Sequence, residues 1–282
     1  MEYRLLSPQW EAYELIEFGE GWRWERWGEV WVQRPDSWAV GKLTVRPSGN
    51  YHVYQPSGSY TGQWIPPLPS KWLLTYRGQR WQMALWARSG KFKHLGFFPE
   101  QAVHWEWLYT HLRGATQPRV LNLFAYTGAA SIVAALAGAQ VVHVDSSKSA
   151  ITWAAENAQA NSVTTIRWIP EDARRFVARA GRRREKYYAL LLDPPAYGTG
   201  TGRWHLAEDL PPLLENLRPL LSSEGGLFLL NWYAGDFSPY TLYRLVQEIF
   251  PFMHPIEVGE LLLTTSKGRR LSTGYFLRSR WG

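Results

Sequence analysis

Val120-Leu-Asn-Leu-Phe-Ala-Tyr-Thr-Gly128 is an apolar run that ends on a single glycine and passes directly into small and apolar residues. It reads as a buried strand, a turn where the backbone can approach a ligand, and a helix over 129–136 that Gly138 stops. Working outward, the same alternation recurs. Further strands are expected over 140–144, 165–169, 188–193 and 226–232, and Ser238-Pro239 caps and opens a helix over 240–250. Alternating strands and helices of this kind build a Rossmann-like, mostly parallel α/β sheet. Two last strands, 260–265 and 274–280, follow each other without a helix, as a closing antiparallel pair would.

Upstream of residue 98 the composition changes. Twelve of the 17 tryptophans lie before residue 108, and short runs at 29–33, 42–45, 51–54, 73–77 and 79–87 are broken by Pro, Ser, Gly and Asn. We read 1–98 as a small β-rich module and 99–282 as the α/β domain. A hairpin over 81–98 turning at Ser89-Gly90 and a helix over 99–112 mark the passage between them. Trp22, Trp24, Trp27 and Trp31 are either the bulky core of that module or a platform for unpaired bases, with the core reading favoured.

The net charge is +7 with a pI near 9.6, and Arg greatly outnumbers Lys, which suits a polyanionic partner. The run 174–186 alone holds Arg174, Arg175, Arg179, Arg182, Arg183, Arg184 and Lys186, which either follow a phosphate backbone or form a solvated helix. There is no cysteine, so disulfides, thiolate metal sites and thiol nucleophiles are excluded. The seven histidines show no metal spacing, and no hydrolase elbow occurs; no metal is expected. The chain starts without a secretory pattern, and no stretch approaches the roughly 18 apolar residues of a spanning helix, so a cytoplasmic protein off the membrane is expected. Composition sets no oligomeric state.

In an α/β sheet the ligand lies beyond the carboxyl ends of the central strands, so residues just after each strand carry the chemistry. Gly128 ends the first such loop. Asp145 follows the second strand, seventeen positions beyond Gly128, where a carboxylate can accept from both ribose hydroxyls of a nucleoside. Glu171-Asp172 follows the third and suits the adenine end. Asp193-Pro-Pro-Ala-Tyr197 follows the fourth. Singly, Gly128 can be a simple turn and Asp145 a helix cap; it is their order that points to a site. The first loop lacks G-x-G-x-x-G, so a nucleoside without a pyrophosphate fits better than a dinucleotide. Gly198-Thr-Gly-Thr-Gly202 mimics a phosphate loop but follows the fourth strand and lacks the P-loop Lys, so it is read as a substrate loop.

Val120 to Gly128, Val144-Asp-Ser-Ser-Lys148, Asn157, Asn161 and Leu192-Asp-Pro-Pro195, in that order, resemble the bacterial S-adenosylmethionine (SAM)-dependent methyltransferases related to the large-subunit 23S rRNA enzymes. Lys93-His-Leu-Gly-Phe-Phe-Pro-Glu-Gln101 resembles the segment that precedes their catalytic domain. The resemblance covers about 91–280. It implies a class I methyltransferase fold with a seven-stranded, mostly parallel sheet, SAM as cofactor, and rRNA as partner. By it, Phe98, Asn122, Phe124, Tyr126, Gly128, Asp145, Asp172 and Asp193 surround SAM, with Thr127 and Ser146 beside them in the same loops. The first module does not resemble the RNA-binding PUA domain many of these relatives carry. Methylation of cytosine carbon 5 through a cysteine adduct cannot operate here, which leaves a base nitrogen as the expected acceptor. Asp193 and the carbonyl of Pro194 would hold an amino group, neither proline offering a competing N–H. Tyr197 either stacks on an extruded base or is a core aromatic. The alternatives are transfer to protein or a small molecule, and a nucleic-acid-binding module that has lost catalysis.

Overall fold

The structure is a computed structural model, described over residues 1–58, 61–198, 203–233 and 235–282. The substrate-loop residues 199–202 of the glycine run lie outside the described residues. The chain divides into two compact units: residues 1–6, 104–261 and 274–282 form one, and residues 7–103 and 262–273 the other. The division expected at residue 98 falls near the passage at residues 103–104, while the first six residues and the 262–273 turn change sides.

The α/β unit is built on an eight-stranded sheet. In chain order its strands are β1 (Glu2–Leu6), β9 (Arg119–Leu123), β10 (Gln140–Asp145), β11 (Ile166–Pro170), β12 (Ala189–Leu192), β15 (Gly226–Trp232), β16 (Ile256–Thr264) and β17 (Arg270–Trp281). Their spatial order is β1-β16-β17-β15-β12-β9-β10-β11. β11, β10, β9, β12 and β15 run parallel, and β17 returns antiparallel to β15. Seven of these strands are those the sequence predicts. The eighth, β1, adds in parallel beside β16, where Arg4 faces Gly259. A Cβ at Gly259 would stand 1.7 Å from the Arg4 carbonyl, so only glycine admits this edge strand.

The helices are α1 (Ala102–Leu112), α2 (Ala129–Leu136), α3 (Lys148–Ala160), α4 (Ala173–Arg182), α5 (Leu206–Leu217) and α6 (Pro239–Ile249). A short hairpin of β13 (Tyr197–Gly198) and β14 (Trp204–His205) stands between β12 and α5. Alternate strand residues Leu121, Leu123, Leu190, Leu192, Phe228, Leu230 and Trp232 share one core with α4, α5 and α6. Period-two geometry therefore turns Asn122, Leu191, Asp193 and Asn231 to the opposite face.

In the other unit, β2 (Tyr13–Gly19), β3 (Trp22–Trp27), β4 (Val30–Pro35), β5 (His52–Pro56) and β6 (Gly62–Ile65) form a five-stranded sheet, and β7 (Lys71–Arg77) pairs with β8 (Gln82–Arg88). Three local expectations change. The hairpin turns at Gly78, whose N–H donates to the Trp81 carbonyl, and β8 pairs with β7, leaving 89–98 without a strand. Residues 42–45 form no strand: Val45 is exposed and Pro47 follows, so the run has neither a face to bury nor continuous donors. β2 and β3, over which the sequence reading placed nothing, carry Arg23 and Glu25 buried beside Trp24 and Trp27. Trp24 and Trp27 are thus core residues, whereas Trp31 is exposed against the Tyr51 ring.

Candidate active site

The loop after β9 is bent by three residues of positive φ: Phe124 (55°), Tyr126 (47°) and Gly128 (87°). Positive φ is costly for two non-glycine residues, and the cost is met by bonds that pin the loop from two sides. The Asp145 carboxylate accepts the Tyr126 N–H at 2.9 Å, and Asn157 on α3 donates to the Thr127 carbonyl at 2.9 Å. At Gly128 a Cβ would lie 2.9 Å from the Ala154 Cβ, so glycine lets the start of α2 close on α3.

Asp145 stands at the tip of β10. One oxygen accepts from Tyr126 and the other accepts the Ser147 N–H at 2.8 Å. Burial raises its pKa, against the pull of those two N–H groups. Each oxygen keeps an open lone pair, which is what a ribose diol requires. The cleft beside it is lined by Phe124, Asp145, Ser146, Asp172, Pro195 and Trp204. Its cavity volume is about 60 Å³, so it is a shallow groove open to solvent.

Asp172 lines the same cleft, but its carboxylate is heavily engaged. It caps α4 by accepting the N–H groups of Arg174 and Arg175, and it pairs with the Arg174 guanidinium at 3.1 Å. Burial raises its pKa less than these donors lower it, and it sits below the ordinary value. Asn122 is also turned inward: it donates to Ser131 Oγ at 2.9 Å, which lies 3.0 Å from His143 Nδ1. Burial pushes His143 down to about 3, so this chain of groups is neutral. Thr127 is buried beneath the loop. Phe98 belongs to the other unit, where its ring lies 5.5 Å from that of His94.

Asp193 follows β12, and its N–H donates to the Leu123 carbonyl at 3.3 Å. Pro194 is buried and Pro195 exposed. Tyr197 is 66% exposed with its ring edge-on to His205 at 4.8 Å, so it is a surface aromatic and not a core one. Two residues that the sequence did not single out, Trp204 and Asp209, complete this side together with Arg174 of the basic run. Trp204 packs on Phe124 at 4.8 Å and donates Nε1–H to the Pro195 carbonyl at 2.7 Å. Arg174 donates to Asp209 at 2.8 Å and to the Arg203 carbonyl at 3.0 Å, tying α4 to α5 and to the residue before β14. Trp204 and Asp209 lie between a glycine run and the Pro211-Pro212 pair inside α5, where no local pattern announces them.

The basic run divides along α4. Arg174 and Arg179 are paired, the latter with Glu171 at 2.6 Å, and Lys186 donates to the Pro219 carbonyl. Arg175, Arg182, Arg183 and Arg184 are exposed. A ten-residue helix is about 15 Å long, so Arg182 to Arg184 stand at the end of α4 remote from the cleft.

A groove at the tips of a parallel sheet, with an acid whose oxygens are open to a ribose, suits a nucleoside cofactor. Residues 35–260 match the family model for S-adenosylmethionine-dependent methyltransferase, and the chain belongs to that family. It is similar to a solved SAM-dependent methyltransferase from Agrobacterium tumefaciens, with 35% identity and a TM-score of 0.89, over 98% of this chain and 93% of that one. Over 118 residues it is 35% identical to the ribosomal RNA large subunit methyltransferase K/L of Shewanella frigidimarina, which is 40% of this chain but 16% of that protein. A solved 16S rRNA N2 methyltransferase from Thermus thermophilus has the same fold, with a TM-score of 0.51 and 21% identity, over 77% of this chain and 52% of that one. The fold is therefore that of a class I methyltransferase, and SAM is the cofactor. The residues fit it: Asp145 has open acceptors for a ribose, and Phe124 offers an apolar wall.

Proposed function

We propose that this methyltransferase acts on RNA, placing the methyl group on a nitrogen of a base held at Asp193. One observation carries the reading. Pro195 and Gly198 line the groove that Asp145 opens, and they bring Asp193, an acid followed by two prolines, and the exposed Tyr197 to its edge. When bound, SAM supplies a sulfonium methyl group whose S–C bond breaks as a new N–C bond forms. The protein needs only to align the acceptor and bear the charge it develops. Asp193 and the Pro194 carbonyl accept from the target amino group, Tyr197 stacks on the base, and the proton shed leaves to solvent. A cysteine-dependent carbon methylation has no nucleophile in this chain.

RNA is supported by the basic balance of the chain, by the exposed arginines of α4, and by the name of the K/L relatives, of which the matched segment spans only 16%. The test is incubation of the full chain with methyl-labelled SAM and either rRNA, DNA or a protein lysate, followed by mass spectrometry of digested nucleosides. Label is expected on a base of RNA. Asp145→Ala is expected to abolish SAM binding by calorimetry. Asp193→Ala should keep SAM affinity within about tenfold while losing most transfer. Label confined to protein, or equal loss of affinity and turnover at Asp193, overturns the reading.

A further inference from the structure

The face of the sheet opposite the large apolar core holds a second polar pair, which the site above does not use. Leu192 pairs with Leu230 across β12 and β15, so Asp193 and Asn231 leave neighbouring strands at one level, about 4.8 Å apart. Both belong to the alternate set of residues that turns away from the core of α4, α5 and α6. Asn231 in turn pairs with Phe276 on β17, and the Phe276 ring meets His104 of α1 edge-on at 5.1 Å. His104 is 1% exposed and Asn231 3%. The Asn231 side chain reaches the His104 imidazole, in a contact looser than a well-formed hydrogen bond; neither ring nitrogen has a closer partner among the described residues. Burial, helped by the Arg278 cation, drives the His104 pKa well below its ordinary value, so the ring is neutral and holds one N–H donor and one acceptor.

A buried imidazole and amide are costly unless they do something, because desolvating them is repaid only by partners. Phe and Leu in their places would continue the packing of Leu191, Leu229 and Phe276. Instead the pair lies beside Asp193, on a face whose other buried polar residues include Asn122 opposite Leu191 and Arg278 opposite Leu229. We propose that His104 and Asn231 are positioning residues that set the carboxylate of Asp193. The imidazole fixes which way the Asn231 amide faces, and the amide donates an N–H to one Asp193 oxygen. The other oxygen is thereby left aimed at the acceptor nitrogen. The inference rests on the reading of Asp193 as the group that holds the target.

The test is single-turnover transfer by the full chain, with SAM affinity and the KM for RNA measured beside it. RNA from a strain lacking the gene serves as substrate. His104→Phe and Asn231→Leu are expected to slow the transfer step about 10- to 100-fold with SAM affinity and KM within about threefold. His104→Gln, neutral with a donor and an acceptor, should recover most of the rate, and the double variant should be no slower than the slower single one. A merely structural pair would instead change the unfolding midpoint without separating kcat from KM. Wild-type rates in both single variants, or rate losses matched by equal losses of SAM affinity, overturn the brace. Asp193→Asn is run alongside. If it too transfers at the wild-type rate, the parent reading fails; if it alone loses transfer, only the brace does. Should His104→Phe not fold, Asn231→Ser decides by the same criteria.

Discussion

The two units bury polarity in opposite ways. The 7–103 unit buries charge: Glu25 is fully buried and accepts from Arg34 at 2.6 and 3.0 Å and from the Tyr13 hydroxyl at 2.8 Å, with Arg23 at 3.4 Å. Arg23 goes on to Asp36, and Glu17 pairs with Arg269. The α/β unit, apart from Arg278 with Glu257 at the β17 side, buries neutral groups: Asn122, Ser131, His143, Asn157, Asn231 and His104. The difference separates structure from function. An acid whose lone pairs are filled by its own chain holds strands together. Asp145, whose oxygens each accept one backbone N–H, retains capacity for a ligand.

Breaking the charged network should give the largest effect. Glu25→Ala leaves Arg23 and Arg34 buried without their acid and is expected to cost about 3–5 kcal/mol in urea unfolding. A loss below about 1 kcal/mol would mean that water already reaches the pair. Acid and base titrations sharpen the same point. Burial would raise the Glu25 pKa, but Arg23 and Arg34 outweigh it and hold the acid at about 2, from 4.5. Its contribution is therefore complete above 4.5 and lost as pH falls towards 2. Glu100, buried with weaker help from the same arginines, is raised by burial to about 7 from 4.5. Its contribution is complete below 4.5 and lost as pH rises through 7. Each is on the order of 3 kcal/mol. Burial pushes His94 of the same unit down to about 3 from 6.5, so its contribution grows as pH rises from 3 to 6.5 and opposes the Glu100 decline; Glu100→Gln should therefore make stability rise more steeply between pH 4.5 and 7 while leaving the acid limb. An unchanged neutral limb refutes the assignment.

The neutral network is worth less. Asn122→Ala strands Ser131 and His143 and is expected to cost about 2 kcal/mol. SAM affinity measured on the same protein sorts the roles: a loss within about threefold marks Asn122 as a support for the loop, and a loss beyond tenfold marks it as touching SAM.

The contrast also explains what the sequence reveals. The parallel strands were legible because both of their faces are apolar, and the site because strand tips are fixed once the strands are. β2 and β3 were not, because a period-two reading needs one face in water, and here Arg23 and Glu25 are as buried as Trp24 and Trp27. β1 was missed because an edge strand with an exposed face has no signal beyond its alternation, and its partner Gly259 lies far along the chain. Residue types at the site were readable, but their orientation was not. Asn122 and Thr127 look like loop ligands in a row of letters, yet the strand period turns Asn122 to Ser131, and Thr127 is buried with its carbonyl held by Asn157.

Asp172 gives the smallest expected effect and the finest discrimination. Its place after β11 matches that of a residue at the adenine end, and it lines the cleft. Its oxygens, however, already accept two N–H groups of α4 and the Arg174 fork, as Glu25 accepts from Arg34. By the rule drawn from the two units it belongs with the structural acids. Asp172→Ala should then cost about 1 kcal/mol of stability, as the loss of a helix cap does, and leave SAM affinity within about threefold. Asp172→Asn, which keeps a capping oxygen but not the charge opposite Arg174, should recover most of that stability. If SAM affinity instead falls tenfold or more in both variants while the unfolding midpoint hardly moves, a carboxylate filled by its own chain can still serve a ligand, and the distinction between the two units fails at the site where it matters most.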